Sequence, residues 1–239
     1  MILFIDTEWA DILASELVSL ALVSDCGRYE FYAERDPLPE TPTDFVRSVV
    51  YPLLDRGSRA LADDQFTASL HKFFDDVLEV APRGKVLVAY DHRNDMALLE
   101  YALDGFESPE TPSRPPFSRF NLGLLGDEYL QMVESCFARD TSLTARRHHA
   151  LIDARVNRQA YLEMRDREAW ALSEFERIRS EDPKLEKLML ETFGNMQLAA
   201  KWWTRRSLRL ANQTPGEKYR AGGRGEVVQE LYAIRYGMP

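Results

Sequence analysis

The chain has 239 residues, of which 45% are hydrophobic and 29% are charged, and its formal net charge at pH 7 is −9. This composition is typical of a folded globular protein, and two cysteines are too few for a disulfide framework. The acidic charge argues against a protein that coats duplex nucleic acid through a basic surface. No stretch approaches the ~20 apolar residues of a membrane span, and the opening MILFIDTEWAD lacks the long apolar run of a signal peptide. We therefore expect a cytoplasmic protein without a membrane partner.

Hydrophobic periodicity predicts strands early in the chain and helices late. In chain order, the predicted elements are strands at 3–5, 16–24, 28–33 and 85–90, and helices at 45–54, 66–78, 94–103, 151–172 and from 183 onward. Proline-rich stretches at 37–42 and 112–116 mark loops. This order predicts an α/β domain at residues 1–175 and a small α-helical domain at 176–239. From Lys201 to the end there are eight Lys or Arg residues against three Glu, so the second domain is the basic one.

Two acidic residues end the first predicted strand. Asp6 and Glu8 are two residues apart, so their side chains project from one face of the strand and both can reach one metal ion. Acidic residues at the end of a core strand are costly unless a cation or hydrogen bonds satisfy them. By itself this pair is a weak signal, because strand ends often carry acids.

Two later segments carry further candidates. In VAYDHRNDMALL, a strand leads to Asp91 and a helix start to Asp95, although either Asp91 or Asn94 could simply cap the helix. In RRHHALIDAR, His148 precedes Asp153 by five residues at a loop or helix start. A lone His–Asp pair of this kind is usually a surface feature.

Together, FIDTEW, VAYDHRNDMALL and HHALIDA resemble the motifs of the DEDDh 3'-5' exonuclease family, in the same order and over roughly residues 1 to 170. The resemblance is closest to a compact bacterial and phage subfamily that includes an exoribonuclease. It implies a ribonuclease H-like mixed sheet flanked by helices. It also implies that Asp6, Glu8, Asp95 and Asp153 bind metal and that His148 is the general base.

Two assignments depend on the family pattern. An Asn usually stands four residues before the catalytic Asp and a Leu four residues after it, which selects Asp95 and places Asp91 at the Asn position, with Asp91 as the alternative. The five-residue step to Asp153 selects His148 over His149. Many relatives have a Thr-Gly pair after the glutamate, where this chain has Trp9 and Ala10. Trp9 either stacks on the terminal base of the substrate or belongs to the core.

Carboxylates are the hard oxygen ligands that Mg²⁺ or Mn²⁺ prefers. Two such ions could bracket a phosphodiester, and a histidine with a pKa near ~6.5 suits proton removal from water at neutral pH. The expected reaction is hydrolysis of single-stranded RNA or DNA from its 3' end to nucleoside 5'-monophosphates. RNA is favoured through the subfamily resemblance alone.

The last 50 or so residues resemble the C-terminal domain of the MbcA/ParS/Xre antitoxins, a small helical module that pairs with RES-domain toxins. The resemblance is carried by Phe193-Gly194, Trp202, the TPGE segment at 214–217 and Tyr236-Gly237. It implies a protein partner for this domain. Two alternatives are that the segment only packs on the nuclease domain, or that Arg205, Arg206, Arg209 and Arg224 guide the substrate strand. A non-catalytic interaction protein that binds a toxin-like partner is the competing function.

Overall fold

A computed structural model describes residues 1–106 and 112–238. The chain forms two compact units, Met1–Leu162 and Glu163–Pro239. The division falls within one long helix, whereas the sequence places the boundary near residue 175. The predicted α/β class is confirmed by a six-stranded mixed sheet in the first unit.

The strands are β1 Ile2–Trp9, β2 Leu17–Ser24, β3 Glu30–Arg35, β4 Ala60–Leu61, β5 Leu87–Tyr90 and β6 Ser118–Asn121. The helices are α1 Asp63–Val80, α2 Arg93–Leu103, α3 Asp127–Arg139, α4 Thr141–Thr144, α5 Ala150–Glu181, α6 Pro183–Phe193, α7 Met196–Thr204, α8 Pro215–Arg220 and α9 Arg224–Tyr236. Among the described residues, none of these helices is both long and apolar enough to cross a membrane.

The sheet has the order β4-β3-β2-β1-β5-β6. β1, β2 and β3 are antiparallel neighbours, whereas β5 runs parallel to β1 and β6 runs parallel to β5. Because parallel strands end at the same edge of a sheet, the residues that follow β1 and β5 lie close together.

Alternation along β1 sends side chains to two different cores. Leu3 and Ile5 are fully buried and join the main apolar cluster with α1 and α2. Phe4 points the other way, and its ring centroid lies 5.3 Å from that of Tyr161 on α5. The sheet is therefore covered by helices on both faces, and Asp6 and Glu8 share the parity of Phe4.

The helix predicted at 45–54 is irregular. A π-helical turn at Val46–Val50 is followed by a 3-10 turn at Tyr51–Leu53. Pro52 has no backbone N–H to continue an α-helical ladder, and Val46 and Val50 still reach a small core with Ala10 and Val18. The short strands β4 and β6 have no counterpart in the sequence prediction.

The second unit is helical and has its own apolar core. This core is formed by Ala171, Phe175, Ile178, Leu185, Met189, Ala199, Ala200, Trp203, Leu210, Val227 and Leu231. Gly216 packs against the Trp203 indole so closely that an added Cβ would lie 2.9 Å from Nε1. The TPGE segment is the start of α8, because Thr214 and Glu217 form a reciprocal capping box.

Candidate functional site

The five predicted site residues come from separate segments that meet at the shared edge of β1 and β5. Asp6 and Glu8 lie on the C-terminal half of β1, and Asp95 lies in the first turn of α2, which follows β5. His148 lies two residues before the start of α5, and Asp153 lies in the first turn of that helix. The fold therefore gathers residues that are up to 147 positions apart in the sequence.

Asp6 and Glu8 are half-buried and share one face of the strand. Burial raises the pKa of Asp6 well above its usual range, and the Asp153 and Asp95 carboxylates raise it further. Burial, followed by repulsion from the same two carboxylates, raises the pKa of Glu8 to about 9. The pair therefore lies in a concentration of negative charge that favours a bound proton or cation.

Asp95 is 1% exposed, and both of its carboxylate oxygens accept hydrogen bonds. The Thr7 hydroxyl donates to Oδ1 at 2.7 Å, and the His92 backbone N–H donates to Oδ2 at 3.1 Å. The second bond is part of a capping box at the start of α2. Burial and the charge of Asp91 nevertheless raise the pKa of Asp95. Asp95 therefore has a structural role as well as its place beside Asp6 and Glu8.

His148 has an unusual backbone conformation, with φ at +72°. A non-glycine residue in this region costs about 1–3 kcal/mol and persists only where the surroundings hold it. The His148 N–H donates to Asp153 Oδ2 at 3.0 Å, and the Phe45 ring packs at 5.1 Å, edge to face with the imidazole. Burial, together with the charge of Arg147, lowers the pKa of His148. Both effects favour the neutral imidazole over the imidazolium.

Asp153 and His148 lie next to Glu8. One carboxylate oxygen from each acid and one imidazole nitrogen lie within 4.8 Å of one another. Asp153 Oδ1 is buried without a hydrogen-bond partner among the described residues, and burial raises the pKa of this carboxyl to about 7. A bound cation would satisfy such an oxygen, and carboxylates are the donors that Mg²⁺ and Mn²⁺ prefer.

Arg147 is the cation that acts on this cluster. Its charge lowers the pKa of both His148 and Asp153. Its guanidinium, however, forms an ion pair with Glu134 at 2.6 Å and lies over the Phe137 ring at 4.7 Å. The arginine therefore only partly offsets the charge of the cluster.

Asp91 is a further acid at this edge of the sheet, and it is held by a chain of hydrogen bonds that the sequence does not predict. The Asn157 amide donates to Asp91 Oδ2 at 3.3 Å, and the buried Tyr129 hydroxyl donates to Asn157 Oδ1 at 2.9 Å. The charge of Asp91 raises the pKa of Asp6, Asp95 and Asp153. Because Asp91, Asn157 and Tyr129 come from distant segments, no local spacing in the sequence indicates this chain of hydrogen bonds.

Two aromatic neighbours of the site have clear packing roles. Trp9 is partly buried against the main core, and its ring centroid lies 5.3 Å from that of His92. His149 is 1% exposed and stacks on Tyr32 at 4.6 Å, with Nε2 3.6 Å from Asp55 Oδ1. The two adjacent histidines thus lie in different environments, and His148 is the one beside the carboxylates.

A scan against protein-family models and a search of curated proteins gave no match to this chain.

The raised pKa of Glu8 predicts a pH-dependent stability difference between the wild type and Glu8→Gln without divalent cations. A carboxyl whose pKa is raised in the folded state adds most to the free energy of unfolding below its unfolded pKa of ~4.3. This contribution is lost as pH rises towards about 9. The melting temperature of Glu8→Gln should therefore increase relative to that of the wild type as pH rises. Thermal unfolding in EDTA across this range measures the difference. A difference that does not change with pH would contradict the raised pKa.

Proposed function

We propose that the chain is a metal-dependent 3'-5' exonuclease of the DEDDh type, acting on single-stranded nucleic acid and favouring RNA. The observation that carries the proposal is the convergence of Asp6, Glu8, Asp95, His148 and Asp153 at one edge of the sheet. A set selected by motif order alone has no reason to meet in space unless the motifs belong to one site. The preference for RNA rests on the subfamily resemblance.

A ribonuclease H-like arrangement is part of the same proposal. It is supported by a mixed sheet whose first three strands are antiparallel, with helices on both faces. In this arrangement the end of the central strand β1 supplies Asp6 and Glu8. The first turn of α2, which follows β5, supplies Asp95, and the first turn of α5 supplies Asp153. The sheet thus provides a rigid base for a site that faces its edge.

The donor set fits divalent cations. Asp6, Glu8, Asp95 and Asp153 would hold Mg²⁺ or Mn²⁺, and Asp91 adds negative charge beside them. When bound, such ions lower the pKa of water and stabilise the negative charge that develops on phosphate oxygens. The four carboxylate ligands are held in place because β1 and the first turns of α2 and α5 fix the backbones that carry them.

His148 is the general base in this mechanism. Its lowered pKa leaves an imidazole nitrogen unprotonated at neutral pH, so the nitrogen can remove a proton from the attacking water. The hydrogen bond to Asp153 and the contact with Phe45 hold the residue beside the carboxylates. Attack on the terminal phosphodiester would release a nucleoside 5'-monophosphate.

The proposal predicts Mg²⁺- or Mn²⁺-dependent hydrolysis of 3' ends that Asp6→Asn abolishes. The substitution removes a charged ligand while keeping the side chain's shape. Incubation of the purified chain with 5'-labelled single-stranded RNA and DNA, with and without the ion, gives the direct measurement. A 3'-blocked strand serves as the control for polarity. Activity that persists in EDTA, or that Asp6→Asn leaves above about a tenth of the wild-type rate, would exclude this mechanism.

The two acids near the start of α2 are distinguished by a matched pair of substitutions. Asp95→Asn should reduce kcat far more than Asp91→Asn, because Asp95 is the proposed ligand and Asp91 an outer charge. Asp95→Asn also weakens the capping box, at a cost of about 1 kcal/mol, so thermal unfolding must show that both variants are folded. The reverse order of kcat values would make Asp91 the ligand.

His148→Ala should reduce kcat by roughly 10²- to 10⁴-fold, the range for a lost acid–base group. The wild-type rate should rise with pH through an ionisation below the usual histidine value, since the pKa of His148 is lowered, and His148→Ala should lack this limb. His149 is unsuitable as a control because it is buried. His71→Ala is the matched control, provided that thermal unfolding shows it to be folded, because the half-buried His71 imidazole on α1 hydrogen-bonds with the Leu103 carbonyl at 2.9 Å. Equal losses in both variants would remove His148 from the mechanism.

A further inference from the structure

The basic C-terminal unit contains two kinds of cation. Most of them form ion pairs with carboxylates of the same unit, among them Lys218 with Glu226, Arg220 with Glu174, Arg224 with Asp182 and Arg235 with Glu191. Arg205, Arg206 and Arg209 differ, because none of them lies within 4.0 Å of a carboxylate oxygen in the described part of the chain. All three belong to the segment 205–209 between α7 and α8, which we call the arginine loop.

The arginine loop is held in a fixed conformation. Ser207 forms an antiparallel bridge with Gln213, and the Ser207 hydroxyl donates a hydrogen bond to the buried carboxylate of Glu230. Leu210 is buried in the core of the unit. These contacts fix the centre and the end of the loop, so its charges are not on a freely moving segment.

The guanidinium groups are oriented by backbone carbonyls and form no ion pair among the described residues, although the charge of Arg206 contributes to the lowered pKa of the exposed Glu217. Arg206 Nη1 donates to the Asn212 carbonyl at 2.8 Å, and Arg209 Nη2 donates to the Met238 carbonyl at 2.9 Å. Each contact uses one of the several N–H donors of a guanidinium and supplies no negative charge. Arg205, Arg206 and Arg209 are all exposed. The loop therefore presents three positive groups to solvent.

A hydrogen bond links the arginine loop to a segment that carries an exposed aromatic residue. The bond from Arg209 to Met238 joins the loop to the end of α9, where Tyr236 is 64% exposed. The Tyr236 ring packs nearly parallel to that of Tyr232, with centroids 6.0 Å apart, and the Arg235 guanidinium lies over it at 5.7 Å. Guanidinium groups match phosphate oxygens, and an exposed aromatic ring can contact an unpaired base, so the combination fits single-stranded nucleic acid better than an acidic peptide.

We propose that the arginine loop binds the phosphates of single-stranded nucleic acid, with Tyr236 contacting a base. The choice of this polyanion rests on the proposed nuclease function. The structural basis is independent of that function, since it lies wholly in the second unit. Without bound cations, the carboxylate cluster of the first unit repels a nucleic-acid strand. The arginine loop would supply the affinity for such a strand.

The test is binding by the full chain in EDTA, where metal-dependent hydrolysis does not occur. The probe is a fluorescent single-stranded RNA of about 20 nucleotides, longer than the ~4–16 that one small binding module covers. Anisotropy titrations over a range of salt compare the wild type with Arg205→Ala/Arg206→Ala/Arg209→Ala. The matched control is Lys218→Ala/Arg220→Ala/Arg224→Ala, which removes the same charge from ion-paired positions. Thermal unfolding verifies that both variants are folded.

The loop variant should lose at least about tenfold in affinity, and its salt slope should fall by about 2, because each phosphate contact on a single strand contributes about 0.7. The control should stay within a few-fold of the wild type. Tyr236→Ala should weaken binding several-fold without changing the salt slope, since stacking releases no counterions. The inference is overturned if the wild type does not bind the strand, as expected for a loop that recognises an acidic protein, or if both triple variants lose affinity equally.

A second measurement separates this inference from the nuclease proposal. The loop variant should hydrolyse a dinucleotide with the wild-type kcat, because so short a substrate needs only the catalytic site. A chain that binds RNA through the loop but never hydrolyses it refutes the nuclease proposal alone. A chain that degrades long strands equally well with and without the loop arginines refutes the loop inference alone.

Discussion

Repulsion among carboxylates at one edge of the sheet is the constraint on which the candidate site depends. Burial is the main cause of the raised pKa values of Asp6, Glu8, Asp95 and Asp153, and the charge of neighbouring carboxylates, including Asp91, raises each of them further. Such an arrangement opposes folding as pH rises unless protons or cations are bound. A chain under selection for stability alone would not keep it, because a single polar substitution would relieve the repulsion. The proposed cation would relieve this repulsion.

The rest of the first unit holds these groups against their repulsion. β1 pairs with β5 over Ile2–Phe4 and with β2 along its length, and the pairing of Asp6 with Ala21 and of Glu8 with Ser19 fixes the spacing of the two acids on the strand. Asp95 is fixed by Thr7, the residue between Asp6 and Glu8 on β1, because the Thr7 hydroxyl donates a hydrogen bond to the Asp95 carboxylate. His148 and Asp153 constrain one another through a backbone hydrogen bond. The positive φ of His148 then follows from this constraint, since the loop must deliver the N–H to the carboxylate.

The sequence predicted the local features of this site and missed the long-range ones. The spacing of Asp6 and Glu8 predicts a shared face because strand alternation is local, and the structure confirms that they lie on one strand. The chain from Tyr129 through Asn157 to Asp91 depends on side chains from three elements, so no local pattern could indicate it. Similarly, apolar spacing at 45–54 correctly predicts a buried face, but it cannot separate an α-helix from successive π and 3-10 turns. The compact units divide after Leu162, whereas the sequence predicts a boundary near residue 175, and no break in the helix marks either position, since α5 continues from Ala150 to Glu181.

Uncompensated charge of opposite sign occurs in the two units, and one class of ligand accounts for both. The first unit concentrates carboxylates, and Arg147, the arginine that lowers the pKa of Asp153, is already paired with Glu134. The second unit pairs most of its cations, but Arg205, Arg206 and Arg209 of the arginine loop form no ion pair among the described residues. A protein partner could explain the loop but not the buried carboxylates, and a free metal ion could explain the carboxylates but not the loop. A nucleic-acid strand with its divalent cations carries both charges. In the proposed complex the cations would compensate the carboxylates of the first unit, and the phosphates would compensate the arginines of the second.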